Sequence, residues 1–406
     1  RVAICMRNRA EWMIAYLAVI RAGGVAALLN SRGSPAELVG MIEQVEPALV
    51  IADEERAELI RKGGYQGRVI KAEEFPSEGM DSPSLVPASA LDPAAILFTS
   101  GTSGRAKGAV LSHRALITGL MSIQLTGMMV LHNMARTYNM SVDDLLAHSP
   151  QGATLLVYPL FHISGLGASF LSQLFAGSKI VIMRRWDASE AMRLIEAEKI
   201  SQFSAVPTML WDVINCADVA KADLSSLRNI GSGGQALPLN LLEAIHAACP
   251  QAVLGTGYGM TETAGSVAQA LGDDFMRRRA SAGRVSPLVD MKIDASEGDA
   301  GEILVRGAMV MNGYFGQPDE TAAVLSDGWL RTGDVGYVDA EGYVFIVDRK
   351  KDMVISGGEN IYCAEVERAM SGLAEVRECA AFGLPDDRLG EKLVAIVVGD
   401  DVDPEA

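Results

Sequence analysis

Short apolar runs alternate with amphipathic stretches along the first two thirds of the chain. The runs are bounded by Gly, Pro or Ser and are too short for helices, which is typical of buried strands. The stretches between them repeat apolar residues at helical spacing. Such alternation predicts parallel sheets covered by helices. The predicted strands are Val2–Cys5, Val25–Leu29, Ala48–Ala52, Pro93–Phe98, Thr154–Tyr158, Lys179–Met183, Gln202–Val206, Asn229–Ser232 and Val253–Thr256. The predicted helices are Glu11–Ala22, Ser34–Val45, one from Ser112, Gly165–Phe175, Ala188–Glu198, Thr208–Asn215 and Asn240–Ala248.

The pattern changes beyond Gly283 to short segments with alternating polarity, separated by turn residues. This change predicts a small antiparallel barrel or sheet over about residues 283–347. A last αβ unit begins after Asp352. Its expected elements are a helix at Ala364–Met370 and strands near Cys379–Gly383 and Leu393–Val398.

Composition narrows the class of protein. The 406 residues are 49% hydrophobic, which is ample for large cores, and the net charge is −16. An acidic chain is a poor partner for nucleic acid, although a locally basic pocket can still bind small anions. The five cysteines are scattered without C-x-x-C spacing. They are expected to be buried free thiols of a cytoplasmic protein.

The segment Ala115–Ala135 comes nearest to a membrane span. It is uncharged but holds Ser122, Gln124 and Thr126, so a buried or pocket-lining helix is expected rather than a span. Peripheral contact with a membrane stays open. Its methionines are expected to pack in the core rather than to line an adaptable acyl tunnel: Met121, Met128, Met129 and Met134.

Residues 98–108, FTSGTSGRAKG, combine a strand end with a loop of glycines, hydroxyls and one lysine. Glycines let backbone N–H groups converge on an anion, and hydroxyls and Lys107 add donors and charge. The loop is not a Walker A motif, because Gly108 follows the lysine. A solvated linker is the alternative. The candidate phosphate-binding residues are Thr99, Ser100, Gly101, Thr102, Ser103, Gly104 and Lys107.

This loop resembles the phosphate-binding signature of the acyl-adenylate-forming (AMP-binding) enzymes, an apolar strand followed by T-S-G-T-S/T-G-x-x-K-G. Three further stretches resemble that family's motifs in the family's order: GYGMTET at Gly257–Thr263, the triplet Thr332–Asp334, and the segment Asp348–Glu367. The chain is similar to the acyl-CoA synthetase, or fatty-acid–CoA ligase, branch over essentially its whole length.

The resemblance implies an α/β fold with a large N-terminal AMP-binding domain over residues 1–350, built of two αβ subdomains and the antiparallel part. A small, mobile α+β lid would follow over residues 351–406. The implied activity is an AMP-forming carboxylic acid–CoA ligase acting on a fatty or other hydrophobic acid, with ATP, Mg²⁺ and coenzyme A. A ligase that loads a carrier protein and a non-catalytic ATP-binding relative are the alternatives.

The resemblance also implies residue roles. Glu262 would coordinate Mg²⁺, Thr261 would bind the α-phosphate, and Tyr258 would stack on adenine. Asp334 would accept hydrogen bonds from the ribose, helped by Arg349. The remaining nucleotide-binding candidates are Gly233, Gly234, Gln235, Ala236, Gly257, Gly259, Met260 and Val347.

His162 lies in an apolar run, where a satisfied core histidine is the alternative to a functional one. Acyl-CoA synthetases carry a similar aromatic–His pair near the acyl carboxylate, whereas amino-acid-activating domains carry an Asp there. The sequence at that place is Phe161-His162-Ile163-Ser164. Because it offers no carboxylate to an ammonium group, an amine-free acid is expected.

Lys351 matches the family's hinge, where backbone rotation would swing the lid between half-reactions. The implied coenzyme A tunnel residues are Ser356, Gly357, Gly358 and Glu359. Cys363 stands where most members have Pro, and no chemical role is expected for it.

Family members extend beyond both ends of this sequence, and their late loop carries a lysine that contacts the substrate carboxylate. Lys392 lies too early to match it. The chain is therefore expected to be part of a longer protein. A homodimer stays open.

Overall fold

Three hydrogen-bonded sheets and the helices packed on them make up the structure, a computed structural model. It describes residues 1–75, 86–99, 106–147, 150–216, 219, 222–233, 237–295, 300–356, 359–373, 375–386 and 388–399.

The strands, numbered along the chain, are β1 Val2–Cys5, β2 Ala26–Leu28, β3 Leu49–Ala52, β4 Val69–Lys71, β5 Pro93–Thr99, β6 Lys107–Ser112, β7 Ala153–Leu156, β8 Lys179–Ile182, β9 Gln202–Ala205, β10 Asn229–Gly233, β11 Val253–Tyr258, β12 Ala268–Leu271, β13 Gly283–Val285, β14 Asp290–Asp294, β15 Gly301–Arg306, β16 Gly313–Tyr314, β17 Leu325–Ser326, β18 Trp329–Val338, β19 Tyr343–Arg349, β20 Val354–Ser356, β21 Glu359–Ile361, β22 Val376–Asp386 and β23 Gly390–Gly399.

The helices are α1 Ala10–Arg21, α2 Pro35–Val45, α3 Glu54–Lys62, α4 His113–Tyr138, α5 Val142–Ala147, α6 Ser172–Phe175, α7 Ala188–Ala197, α8 Pro207–Ile214, α9 Leu239–Ala248, α10 Asp273–Arg277, α11 Pro318–Val324 and α12 Cys363–Met370. A π-helical segment, Ser164–Leu171, precedes α6, and short 3₁₀ turns lie at Ala72–Glu74 and Thr261–Thr263.

The first sheet has the order β16-β6-β5-β2-β1-β3-β4. Its strands from β5 to β4 are parallel, while β6 and β16 pair antiparallel at the other edge. Helix α1 packs its apolar face, with Trp12 and Tyr16, into the core. Helix α2 starts with a capping box between Ser34 and Glu37, which satisfies N–H groups that the first turn leaves unpaired.

The second sheet has twelve strands and changes character at β11. From β8 to β11 the strands are parallel, and from β12 onward every pairing is antiparallel. The change of pattern in the sequence thus corresponds to a change of pairing within one continuous sheet. The third sheet, β21-β20-β23-β22, carries α12 and forms the C-terminal unit.

Sequence patterning missed three elements near the first sheet: α3, β4 and β6. The phosphate loop was expected to lead directly into a helix, but it returns as β6, antiparallel to β5 with Thr99 opposite Lys107. A pattern of apolar residues cannot separate the end of a buried strand from the start of the buried helix that follows it.

The helix after the loop was expected to be buried or to line a pocket, and the first of these alternatives is wrong. Helix α4 buries only its small or N-terminal residues, such as Ala115 and Gly119. Its methionines are exposed, with Met129 at 53% and Met121 at 49%, so their expected core packing is also wrong. Within the described residues α4 alone is long and apolar enough to cross a membrane, and 22% of its most apolar window is buried. One helix of this length and composition is by itself weak evidence for a membrane span.

Gly283 opens β13, which pairs with β12 and β19 in the antiparallel part of the second sheet, and it tests how tightly these strands fit. Its φ is +93°, and a Cβ there would lie 2.0 Å from the carbonyl carbon of Gln269. We expect Gly283→Ala to lower the free energy of unfolding by about 3 kcal/mol, because backbone strain and a clash with backbone atoms add. Urea unfolding measures it.

The matched control is Gly342→Ala, since Gly342 has φ +85° but nothing within 4 Å of a Cβ. It should cost about 1 kcal/mol, the conformational part alone. Equal losses in the two variants would show that the close approach at Gly283 is unimportant.

Candidate active site

A cavity of about 420 Å³ is lined by the turn after β11, by β16, by α11 and by strands of the antiparallel half of the second sheet. Met260 and Glu262 come from the turn after β11, Tyr314 from β16, and Thr332 with Gly333 from β18. These elements are distant in sequence, so the cavity exists only because β16 pairs with β6 and β18 pairs with β19.

Lys107 is the first residue of β6 and lies beside Tyr314, which lines this cavity. Its ammonium group pairs with the carboxylate of Glu320, in the first turn of α11, and lies 5.3 Å from the ring centroid of Tyr314. Thr99 faces it across the hairpin, with its hydroxyl 3.5 Å from the Lys107 carbonyl oxygen. The other loop candidates fall outside the described residues: Ser100, Gly101, Thr102, Ser103 and Gly104.

Glu262 is buried, with 5% of its surface exposed. The hydroxyl of Tyr314 donates a hydrogen bond to its Oε1 at 2.8 Å. Burial, with the carboxylates of Glu262 and Glu320 nearby, raises the pKa of Tyr314, so the phenol keeps its proton and remains a donor. A lone carboxylate oxygen facing a cavity fits Mg²⁺ when phosphates and water supply the other ligands. The described residues contain no group of three or more potential metal ligands.

A short segment ties these groups together. The N–H of Met311 donates to the Glu262 carbonyl oxygen at 2.8 Å, and the N–H of Phe315 donates to the Gly108 carbonyl oxygen at 2.7 Å. Between them, Tyr314 pairs with Ala109 in the sheet. The segment 311–315 therefore sets the spacing between Lys107 and Glu262.

Sequence reasoning did not single out Tyr314 or Glu320. The available signal was the stretch GYFGQPDE, in which an aromatic residue precedes a proline-started helix with an acidic first turn. Nothing local indicates that this helix faces the phosphate loop, because the contact depends on the pairing of β16 with β6.

Tyr258, Asp334 and Arg349 form a second group beside the cavity. The Tyr258 hydroxyl donates to Asp334 Oδ2 at 2.7 Å, and Arg349 Nε lies 3.2 Å from Asp334 Oδ1. Burial raises the pKa of Asp334, while Tyr258 and Arg349 oppose that rise. Both carboxylate oxygens are thus engaged by the two residues that were expected to act with Asp334 on the nucleotide.

The remaining nucleotide candidates lie mostly at strand ends around this group. Gly233 ends β10 opposite Gly257 of β11. At Gly259 a Cβ would lie 2.5 Å from the Gly265 carbonyl oxygen, so only glycine fits without a shift. Thr261 opens the 3₁₀ turn that carries Glu262, and Val347 is buried in β19. Gly234, Gln235 and Ala236 fall outside the described residues.

His162 does not behave as a core residue. Its side chain is exposed just before the π-helical segment, and the centroid of its ring lies 4.4 Å from that of Phe161. Desolvation by the surrounding protein, and secondarily the charge of Arg32, lower its pKa. The imidazole is therefore neutral at neutral pH and can accept a hydrogen bond.

Lys351 lies exposed in the turn between β19 and β20, where the C-terminal unit begins. The preceding residue is anchored, since the Lys350 N–H donates to the Gly333 carbonyl oxygen at 2.9 Å. Cys363 begins α12, and burial raises the pKa of its thiol, in keeping with the absence of a chemical role.

The tunnel candidates are only partly described. Ser356 pairs with Glu359 across the β20–β21 hairpin. Gly357 and Gly358 fall outside the described residues, as does the side chain of Glu359.

Comparison with known proteins defines the class. A sequence model of the AMP-binding enzyme family matches residues 1–315, and the chain belongs to that family. It is 39% identical over 314 residues to an indoleacetate–CoA ligase of Aromatoleum aromaticum, covering 75% of this chain and 57% of that protein. It is 34% identical over 405 residues to a feruloyl-CoA synthase of Amycolatopsis, covering 98% of this chain and 78% of that protein.

Two further matches extend the comparison. A long-chain-fatty-acid–CoA ligase of Mycobacterium tuberculosis is 31% identical, covering 98% of this chain and 78% of that protein. The solved O-succinylbenzoate coenzyme A synthetase of Bacillus subtilis, in complex with ATP and magnesium ion, superposes with a TM-score of 0.82 at 29% identity. That match covers 98% of this chain and 79% of the solved one. The expected family, α/β fold and acid–CoA ligase class are confirmed.

The ion pair of Lys107 yields a prediction about ATP binding. Glu320 pairs with the ammonium group of Lys107, so a phosphate that bound Lys107 would have to displace a carboxylate. We expect Glu320→Gln to lower the KM for ATP about two- to fivefold, the factor that a partly exposed ion pair is worth. Initial rates of pyrophosphate release at varied ATP concentration measure it.

Asp319→Asn is the control, because it removes the same charge one residue earlier from an exposed side chain that has no ion pair among the described residues. Its KM should stay unchanged. A similar fall in both variants would mean that general charge, and not the contact with Lys107, controls ATP binding.

Proposed function

We propose that the protein is an AMP-forming ligase that joins a hydrophobic, amine-free carboxylic acid to coenzyme A. The observation that carries this proposal is the arrangement around the larger cavity. Tyr314 connects Lys107 to Glu262 on one wall, and Thr332-Gly333, next to Asp334, forms another. Groups suited to phosphates, to a metal-bound phosphate and to a ribose therefore lie in the lining of one cavity or directly beside a residue that lines it.

The first half-reaction forms an acyl-AMP. A carboxylate oxygen of the acid attacks the α-phosphorus of ATP, and pyrophosphate leaves with the electrons of the broken P–O bond. Lys107 holds the terminal phosphates, Thr261 binds the α-phosphate, and Asp334 with Arg349 positions the ribose. When bound at Glu262, Mg²⁺ supplies positive charge to the phosphate oxygens. Because the reactants are anions, positioning and charge neutralisation do most of the catalytic work.

The second half-reaction transfers the acyl group. The thiol sulfur of coenzyme A attacks the acyl carbon, and AMP leaves with the electrons of the broken C–O bond. In this proposal residues 1–350 form the nucleotide-binding domain and residues from 351 onward form a lid that turns about Lys351. Ser356, Gly357, Gly358 and Glu359 would then line the path of the thiol arm.

The acid is proposed from the chemistry of one short stretch. Phe161-His162-Ile163-Ser164 offers a neutral imidazole and apolar surface but no carboxylate, which disfavours a substrate ammonium group. The similar ligases are named for indoleacetate, ferulate and long-chain fatty acids. These acids share an apolar body and lack an amine. A fatty or other hydrophobic acid is therefore proposed.

A panel of acids tests the proposal directly. Pyrophosphate release by the full-length protein is measured with acetate, palmitate, indoleacetate, ferulate and phenylalanine, each with and without coenzyme A. We expect turnover with at least one amine-free hydrophobic acid, only when coenzyme A is present. Adenylate formation without use of coenzyme A would indicate a carrier-protein acceptor. If no acid led to pyrophosphate release although the protein bound ATP, the proposed catalytic activity would be contradicted.

Lys107→Ala and Glu262→Ala should each reduce pyrophosphate release by about a hundredfold or more, since each removes a charged contact to the phosphates or to their metal. Lys179→Ala is the control, because it removes a lysine that forms only a surface ion pair with Glu198. Full activity of Glu262→Ala at low Mg²⁺ would rule out the metal assignment.

Lys351→Pro should spare adenylation and mainly reduce thioester formation, because proline fixes φ at the proposed pivot. Single-turnover measurement of each half-reaction separates the two effects. Lys351→Ala, which removes the charge but keeps the backbone free, should retain most thioester formation. Equal loss in both half-reactions of the proline variant would contradict the hinge.

A further inference from the structure

An apolar stripe lies exposed along helix α4. Ile117, Met121, Leu125 and Met128 follow one another at spacings of three or four residues, so they share one face of the helix. Together with Met129 and two residues of α6 they form a surface that we call the α4–α6 face. Its members are between 36% and 70% exposed: Ile117, Met121, Leu125, Met128, Met129, Leu174 and Phe175. A continuous apolar surface of this kind commonly marks an interaction site.

Helix α6 extends the stripe. The side-chain amide of Gln124, in α4, donates a hydrogen bond to the Ser172 hydroxyl at 3.1 Å. Leu174 and Phe175 complete the turn of α6 that starts at Ser172. Phe175, at 70%, is the most exposed large hydrophobic residue of the described chain. The face therefore combines a long helix with an aromatic side chain beside it.

The opposite side of α4 packs on the protein. A Cβ at Gly119 would lie 2.6 Å from the Ala264 carbonyl oxygen, so helix and turn are in close contact there. Because one side of the helix is used in this way, α4 can lie on an apolar surface but cannot cross a bilayer while this packing is kept.

Charge is unevenly distributed along the chain, and this face belongs to a basic part of it. Residues 93–186 hold seven Lys or Arg and two Asp, a net charge of +5, in a chain whose net charge is −16. The two acidic residues, Asp143 and Asp144, lie in α5, beyond the left-handed turn at Asn139. Helix α4 itself contains no Asp or Glu.

Two arginines frame the stripe. Arg114 precedes Met121 by seven residues and Arg136 follows Met129 by seven, which is two helical turns in each case and places both on the side of the stripe. Both side chains are exposed, and neither forms an ion pair in the described part of the chain. The surface that fits this face is therefore apolar in its interior and negatively charged at its boundary.

A second copy of the chain fits less well. Two copies related by a twofold axis would pair their α4 helices parallel or antiparallel. In either case a basic end would meet a basic end, Arg114 against Arg114 or against Arg136, and like charges in an interface oppose association.

We propose that the α4–α6 face docks on an anionic lipid bilayer. The methionines, Leu125 and Phe175 enter the boundary between headgroups and acyl chains, and Arg114 and Arg136 contact lipid phosphates while their stems stay with the apolar residues. Docking does not depend on the proposed reaction. It brings the lipid phase, into which hydrophobic acids partition, close to the candidate site, since α4 contacts Ala264, two residues after Glu262.

Vesicle binding tests the proposal. The full-length protein is sedimented with vesicles of phosphatidylcholine and with vesicles of equal parts phosphatidylcholine and phosphatidylglycerol. It should bind the anionic vesicles about tenfold more tightly, and added salt should reduce the difference. Arg114→Gln/Arg136→Gln should lose most of this preference and keep the weaker binding to phosphatidylcholine.

The apolar contribution is tested separately. Met121→Gln/Met129→Gln should weaken binding to anionic vesicles about tenfold or more, because two side chains no longer enter the apolar phase. Glutamine has nearly the same helix propensity as methionine, so the Tm should not fall. The matched control is Ile355→Gln/Leu373→Gln, which changes two equally exposed apolar residues of the C-terminal unit and should leave vesicle binding unchanged.

Three results would overturn the proposal. The first is that the wild type binds neither kind of vesicle, or binds both equally. The second is an equal loss of binding in the methionine variant and its control. The third is a dimer in sedimentation velocity that the methionine variant dissociates, because a second copy would then cover the face. If no acid of the panel is turned over, the proposed function fails, and vesicle binding still tests the docking face.

Discussion

The two-residue strand β16 is the constraint on which the site depends. It pairs with β6, which starts at Lys107, and the residue two before it binds the backbone of Glu262. Tyr314 then adds a side-chain bond to the Glu262 carboxylate. In the proposed reaction the lysine and the carboxylate act on the same phosphates, which requires a spacing precise to a fraction of an ångström. Backbone pairing supplies that precision better than a flexible side-chain contact does.

Charged groups beside the cavity are paired with other side chains of the protein. Lys107 is paired with Glu320, and Asp334 is held by Tyr258 and Arg349. The charges of Lys107 and Asp334 are therefore each compensated by an oppositely charged side chain. A second cavity is different. Its lining includes Ser31 and four arginines, Arg7, Arg32, Arg184 and Arg185, and within the described residues these arginines form no ion pair and the Ser31 hydroxyl has no hydrogen-bond partner. The two cavities therefore differ in whether their charged groups are compensated by other side chains.

Helix α4 shows the limits of hydrophobicity as a guide to burial. Its sequence is apolar enough for a span or a core helix, yet Met121, Met129 and Tyr138 are exposed. Apolar content alone does not determine which face of a helix packs, because the fold decides how many neighbours the helix has. Close packing at Gly119, where a Cβ would lie 2.6 Å from the Ala264 carbonyl oxygen, marks the face that does pack.

The sequence by itself determined the family, the alternation of strands and helices, and the residues of each contiguous motif. Lys107 was singled out because its stretch combines glycines, hydroxyls and a positive charge, and Glu262, Asp334 and Arg349 were singled out because their short motifs resemble those of the family. Only the tertiary structure decided which of them meet. Tyr314 and Glu320 lie at the site because β16 pairs with β6. Arg7, Arg32, Arg184 and Arg185 line a second cavity although they follow three separate strands. A local sequence pattern indicates the secondary-structure propensity and the burial of a few neighbouring residues. Contacts between distant residues depend instead on strand order and register, which are determined by the packing of the whole chain.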